Sequence, residues 1–223
     1  MGMDAHIPMP TDAHHLTLMQ WLSPGYPVGA FAYSHGLEKM VESGTIQNAQ
    51  QFEDWLTDIL LHGTGRSDAI LLHNAHRTKN PARLQELDDL ARALSPSSER
   101  RMETELQGEA FAQTTAAIWG AEDVPRAYPV AVGAAARLAG IASKMTCAAF
   151  LHAFAANLTS AAIRLIPLGQ TEGQAVLARM TPLCQQIAED TEHLTSQDIG
   201  SSTFAADISS MQHESQYSRQ FRS

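Results

Sequence analysis

From Met145 to Ile163 the chain carries no Asp, Glu, Lys or Arg, and the uncharged run is bracketed by Lys144 and Arg164. An element with no polar face must be covered on every side, by lipid or by protein. As a helix, Lys144 to Ile166 is long enough to cross a bilayer. The run is, however, rich in alanine, contains His152, Asn157, Thr159 and Ser160, and has no second apolar segment beside it in the sequence. A central helix wrapped by neighbours accounts for it better than a membrane span.

The neighbours are also helical. Asp12 to Leu22 reads as a short amphipathic helix that turns Leu16, Met19 and Leu22 inward. A second helix is predicted from Tyr33 to Gly44, where glycine suits a C-cap. Asn48 followed by Gln51 resembles a capping box. Phe52, Trp55, Leu56, Ile59 and Leu60 then fall at the i, i+3, i+4, i+7 and i+8 positions of one buried face. Gly63 and Gly65 close that helix, and Ser67 to Arg77 forms the next. Asn80-Pro81 is an N-cap followed by proline at the first helical position, and Leu84, Leu87, Ala91 and Leu94 make the following stripe. Ser95-Pro96 restarts the chain into a long helix ending near Trp119-Gly120. Ala121 to Arg126 is a loop, and Pro129 to Leu138 a helix that stops at Gly140. Beyond the apolar helix, Pro167 opens a turn and Gly173 to Glu189 is helical. The polar segment Asp190 to Ser202 precedes a last short helix. No strand alternation is evident, so the fold class is all-α, a single-domain bundle of about ten helices. The plan is a flexible extension over 1–11, a helical domain over 12–204, and a C-terminal helix with a partner-binding tail over 205–223.

Length and composition agree with one globule. A chain of 223 residues suits a single domain that needs no metal or disulfide to be stable. The net charge of −9 argues against nucleic acid as a partner. Cys147 and Cys184 stand far apart with no Cys-x-x-Cys, which indicates two buried reduced thiols. Met1 to Ala13 lacks the basic and apolar regions of a secretory signal, so a cytoplasmic location is expected.

One stretch interrupts the helical pattern. Leu22 to Glu38 is dense in proline and glycine in its first half, with Pro24-Gly25 suited to a type II turn and Pro27 and Gly29 preventing regular structure. It gathers Tyr26, Val28, Phe31 and Tyr33 on a constrained backbone, as expected of a rigid shoulder docked on the body of the protein.

Catalytic chemistry finds little to use. Gly63-Thr64-Gly65-Arg66-Ser67 lacks the Gly-Lys-Ser/Thr of a phosphate-binding loop and lies between helices, so the chain is not expected to bind GTP itself. His73 and His76 share a helix at i, i+3, a spacing that can bring two imidazoles to one face, but no carboxylate or thiolate completes a site. The pair reads as semi-exposed helix surface. His14-His15 diverge, and His6 stands near the terminus. Ser34 and His35 are adjacent and point apart, so they are no nucleophile–base dyad; Ser34 is expected to bond backbone. Glu86, Asp88 and Asp89 read as a solvated face. In the tail, Tyr217, Arg219, Phe221 and Arg222 combine aromatic and guanidinium groups, the chemistry of interface hot spots, in a segment too polar for a core. On composition alone a frayed terminus and a partner-binding segment are equally supported. Arg164 suits the C-terminal end of the apolar helix, where it can meet carbonyls and the dipole. With Gln170 and Gln174 it makes a polar group at one helix junction.

Three segments together resemble the urease accessory protein F family. They are Ser23-Pro24-Gly25-Tyr26-Pro27-Val28-Gly29-Ala30-Phe31-Ala32-Tyr33-Ser34-His35-Gly36-Leu37-Glu38, then Arg164-Leu165-Ile166-Pro167-Leu168-Gly169-Gln170-Thr171-Glu172-Gly173-Gln174, then the tail from Met211 to Ser223. The resemblance implies a non-enzymatic maturation factor that binds no cofactor directly and helps insert nickel into the urease apoprotein. It implies work with accessory protein D (H in some organisms) and the GTPase accessory protein G, which handle nickel and GTP, and a homodimer. It places D/H binding on the tail, at Met211, Glu214, Tyr217, Ser218, Arg219, Phe221 and Arg222. Lys144, Arg164, Gln170 and Gln174 become candidates for the GTPase interface. Tyr26, Tyr33, Ser34 and Glu38 lie near a possible nickel passage. A scaffold role is the leading expectation. Regulation of the GTPase and direct nickel chaperoning are the alternatives, and neither nucleic acid nor membrane is expected as a partner.

Overall fold

The computed structural model describes residues 10–223, with side chains from Ala13 onward. The expected extension over 1–11 and His6 lie outside the described residues, except that Pro10 already opens the first helix. Among the described residues there are ten α-helices and no strand. In order they are α1 (Pro10–Trp21), α2 (Leu37–Glu42), α3 (Ala49–His62), α4 (Thr64–Arg77) and α5 (Pro81–Ala93), then α6 (Ser98–Trp119), α7 (Tyr128–Leu138), α8 (Ser143–Leu165), α9 (Gln170–Asp190) and α10 (Phe204–His213). Short 3-10 turns sit at Ala30–Ala32 and Ser196–Asp198.

The uncharged helix is α8, and it occupies the centre. It packs along α9 and touches α1, α2, α3, α4 and α7. Cys147, Phe150, Leu151, Ala155, Leu158 and Ala162 are buried on it. Its length and apolarity meet the requirement for a span, yet protein neighbours cover its buried face. A smaller cluster joins α4, α5 and α7 through Leu71, Leu84, Leu87 and Val130. The two helices α4 and α7 approach closely because residue 133 is glycine: a Cβ there would lie 2.3 Å from the Leu72 carbonyl oxygen. Both cysteines are free and buried.

The expected face of α3 is buried as drawn. Asn48 caps it by accepting the Gln51 N–H at 3.0 Å, while the Gln51 amide reaches back to the Gln47 N–H rather than to Asn48 itself. Other details differ from the sequence reading. In α1 the inward residues are Leu18 and Trp21, while Leu16 and Met19 are exposed; the helix meets the core along a single edge, rotated from the expected one. Gly65 does not end α3. It lies inside α4, pressed on Leu60, and α4 starts at Thr64. Leu94 is exposed, just past the end of α5. Ser97, rather than Ser95, caps α6. Asp88 is buried and accepts the Ala127 N–H at the start of α7, so it is no solvated carboxylate.

The His73–His76 pair is structural. His73 is fully buried; its Nε2–H donates to the Ala188 carbonyl at 3.1 Å, and the Ser143 hydroxyl donates to Nδ1 at 2.6 Å. One imidazole thus ties α4 to both α8 and α9. Burial pushes its pKa down to about 4, which keeps the ring neutral. His76 donates from Nε2 to the Ile141 carbonyl at 2.8 Å. Among the described residues no cluster of three or more metal-ligating side chains occurs.

Candidate functional site

The shoulder and the tail, opposite ends of the sequence, form one site. Pro24-Gly25 turns the chain with a bond from the Tyr26 N–H to the Ser23 carbonyl at 3.0 Å. Gly25 is not among the residues with positive φ, so the turn is not type II. After the 3-10 turn, Tyr33 is extended, and His35 and Gly36 are both left-handed, at φ 58° and 77°. Two consecutive left-handed residues end any helix, so α2 begins only at Leu37, four residues later than expected. For a residue with a side chain this conformation costs about 1–2 kcal/mol.

Buried contacts hold His35 there. Its Nε2 lies 2.9 Å from Glu103 Oε1 and 2.8 Å from Arg100 Nη1, so it either donates to the first or accepts from the second. Burial, reinforced by Arg100, lowers its pKa, so the ring is neutral. Arg100 also pairs directly with Glu103. Burial would raise the Glu103 pKa, but the Arg100 guanidinium overcomes it and holds the carboxylate down at about 2. Beneath the shoulder lies a cavity of about 180 Å³ whose walls include Tyr26, Phe31, Asp68, Arg100 and Glu103. Burial pushes the Asp68 pKa up to about 7, against the pull of Arg100. The Tyr26 hydroxyl and Arg100 Nε are buried there without a protein partner.

The tail closes over the other side of the motif. Glu38 is buried and accepts the Gln220 N–H at 2.8 Å and the Phe221 N–H at 3.0 Å. The same carboxylate lies 3.2 Å from His213 Nε2, and His213 Nδ1 lies 2.7 Å from Glu99. Arg219 pairs with the second oxygen of Glu99 at 2.6 Å. The Arg222 N–H donates to the Ala32 carbonyl, and the Ser34 N–H and hydroxyl both donate to the main-chain oxygen of Ser223. Ser34 therefore bonds backbone as expected, and its Oγ also accepts the Glu38 N–H at the start of α2. Tyr33 bonds the Arg222 side chain; burial still raises the Tyr33 pKa. Phe221 is buried with Arg164 4.4 Å over its ring. The tail is therefore packed on the body and not too polar to do so, because buried carboxylates of α2 and α6 take up its polar groups.

Its outward side is different. Phe204, Ile208 and Met211 recur at i, i+4 and i+7 along α10 and are 69%, 51% and 51% exposed. Tyr217, four residues beyond the helix, is fully exposed as well. Glu214 caps α6 by accepting the Ser98 N–H, and Ser218 is at the surface.

The four proposed GTPase residues divide. Arg164 lies at the end of α8, and Gln170 and Gln174 lie on the first turns of α9, all exposed at the same end. Arg164 is spent on Phe221 and on the Phe31 carbonyl at 3.5 Å, not on the end of its own helix. Lys144 is at the other end of α8, roughly 30 Å away by helical rise, and pairs with Glu189 and Glu192. Of the residues expected near a passage, only Tyr26 lines the cavity; Tyr33, Ser34 and Glu38 serve the tail. Sequence reasoning missed Asp68, Glu99, Arg100, Glu103 and His213. The i, i+3 spacing of Arg100 and Glu103 was the one available signal, and it also fits an ordinary surface pair.

Comparison with known proteins gives the family of the chain, although the matching family model covers neither the shoulder nor the tail. The family model described as UreF matches residues 46–181. The urease accessory protein UreF of Ruegeria pomeroyi is 50% identical over 213 residues, covering 96% of this chain and 98% of its own. That of Roseobacter denitrificans is 50% identical over 218 residues, covering 98% and 97%. That of Ruegeria sp. TM1040 is 53% identical over 208 residues, covering 93% and 97%. With a family model over most of its length and relatives at half identity end to end, this chain belongs to the UreF family of urease accessory proteins.

Proposed function

We propose that the chain is a non-catalytic, cytoplasmic scaffold that joins accessory protein D/H to the GTPase accessory protein G while nickel enters the urease apoprotein. The observation that carries this reading is the row Phe204, Ile208 and Met211, apolar and exposed on a helix whose opposite side is fixed by buried polar bonds, with exposed Tyr217 in the tail that follows it. A rigid, uncovered apolar row is the anatomy of a docking face, and an exposed aromatic in the adjoining tail is a suitable anchor. D/H is its proposed occupant. A homodimer would present two such faces, and exposed Leu16 and Met19 on α1 offer apolar surface for it.

Regulation of GTP hydrolysis is the second reading. It rests on Gln170 and Gln174, exposed amides one turn apart at the start of α9, a residue type that can orient an attacking water in trans. Direct nickel chaperoning has less support, because His35, His73, His76 and His213 spend ring nitrogens on structural bonds. The test is urease maturation in cells carrying Ile208→Asp with Tyr217→Ala, or Gln170→Ala with Gln174→Ala. The first pair is expected to abolish D/H binding and active urease while helicity stays unchanged. The second is expected to spare D/H binding and impair activation. Normal urease with the first pair would sink the scaffold reading.

A further inference from the structure

We infer that Glu38 is the receptor for the tail and so a positioning residue for the docking face, although it touches no partner. This rests on the tail being the D/H site. Glu38 is reached by groups far from it in sequence: the main-chain N–H groups of Gln220 and Phe221, and the imidazole of His213 at the end of α10. Only a carboxylate offers acceptors to all of them at once, and charge-assisted bonds of this kind are about twice as strong as neutral ones. The chain of contacts then runs outward through His213 to Glu99 and from Glu99 to Arg219. Glu38 is thereby linked to the tail on both sides of Tyr217, which is fully exposed.

The backbone beneath Glu38 fits this role. Left-handed His35 and Gly36 rotate α2 so that Glu38 faces inward beneath α10, and Gly36 lets Ser209 and Ser210 approach. A buried carboxylate would be expensive if the tail left it bare. Docking of the tail satisfies it with two main-chain N–H groups and seats the Phe221 ring in the core. A partner that requires the docked tail binds with its intrinsic affinity reduced by the docked fraction.

The test reads amide hydrogen exchange at Gln220 and Phe221 in the free protein, alongside the Kd for purified D/H, in wild type, Glu38→Gln and Glu99→Gln. In Glu38→Gln the near-isosteric amide presents an N–H to donors. Exchange at both amides should rise about tenfold or more, amides of α8 should stay protected, and Kd should rise by the ratio of the wild-type docked fraction to that of the variant. Glu99→Gln should do the same more weakly, which keeps the test open if Glu38→Gln misfolds. Unchanged exchange in both variants overturns the inference. So does an opened tail with unchanged Kd. If wild type binds no D/H, the scaffold reading falls and takes the positioning role with it, while the exchange data still report whether Glu38 holds the tail.

Discussion

Gly36 joins the motif to α10, and replacing it with alanine separates two costs that usually arrive together. The residue has φ 77°, and a Cβ would lie 2.8 Å from the Ser210 nitrogen and 3.1 Å from the Ser209 carbonyl carbon. Gly29 has nearly the same conformation, φ 71°, with nothing within 4 Å of its Cβ position. Gly29→Ala therefore reports the left-handed penalty alone, about 1–2 kcal/mol, less about 0.4–1 kcal/mol regained from the unfolded chain. The net loss is about 1 kcal/mol. Gly36→Ala carries the same loss plus overpacking against helix backbone, worth about 1–3 kcal/mol, giving about 2–4 kcal/mol in total. Urea unfolding at 25 °C measures both. Hydrogen exchange should localise the Gly36→Ala effect to α10 and the tail. Equal destabilisation by the two substitutions, or an undisturbed α10 in Gly36→Ala, would refute the seating of α10 on this glycine.

Three further outcomes follow from buried charge and the outer face. The folded Asp68 pKa, about 7, lies above its ordinary 3.8, so its stabilising contribution is complete below pH 4 and is lost as pH rises through 7; Asp68→Asn should remove that slope in denaturation measured from pH 4 to 8. His73 has the reverse sense: its folded pKa of about 4 lies below 6.5, so stability falls as acid charges the unfolded ring first, and His73→Asn should flatten the loss between pH 6.5 and 4. Asp88→Ala strands the buried Ala127 N–H, while Arg92 keeps Glu105, and should cost about 1–3 kcal/mol in urea unfolding, the range for an unsatisfied buried donor.

The body of the fold was legible because its signals are local. Caps at Asn48 and Asn80 and the stripe from Phe52 to Leu60 belong to single helices, and the alanine-rich, polar-dotted uncharged run fits a central helix better than a span. The site was legible in its pieces and not in its assembly. Ser34 and Glu38 stand in the shoulder motif, Arg164 at a helix end, Phe221 in a polar tail, and only the folded chain brings Phe221 under Arg164 and its N–H onto Glu38. Charged residues such as Glu99, Arg100 and Glu103 carry no sequence signal of burial, since spacing does not say which helix face another segment covers, and for the same reason Asp88 reads as solvated. The helix expected from Tyr33 failed because left-handed His35 is not a conformation its residue type announces; it is held by Glu103 and Arg100 from a distant helix.

The central claim is that the chain acts by joining partners through the outer row of α10 and the tail. Its most direct test is light scattering on purified mixtures of this chain, D/H and the GTPase, with GTP turnover followed in whatever assembles. The account predicts a stable complex with wild type and none with Ile208→Asp/Tyr217→Ala, although that variant keeps its helicity. A complex that forms equally well with the variant, or no complex with wild type, would contradict it.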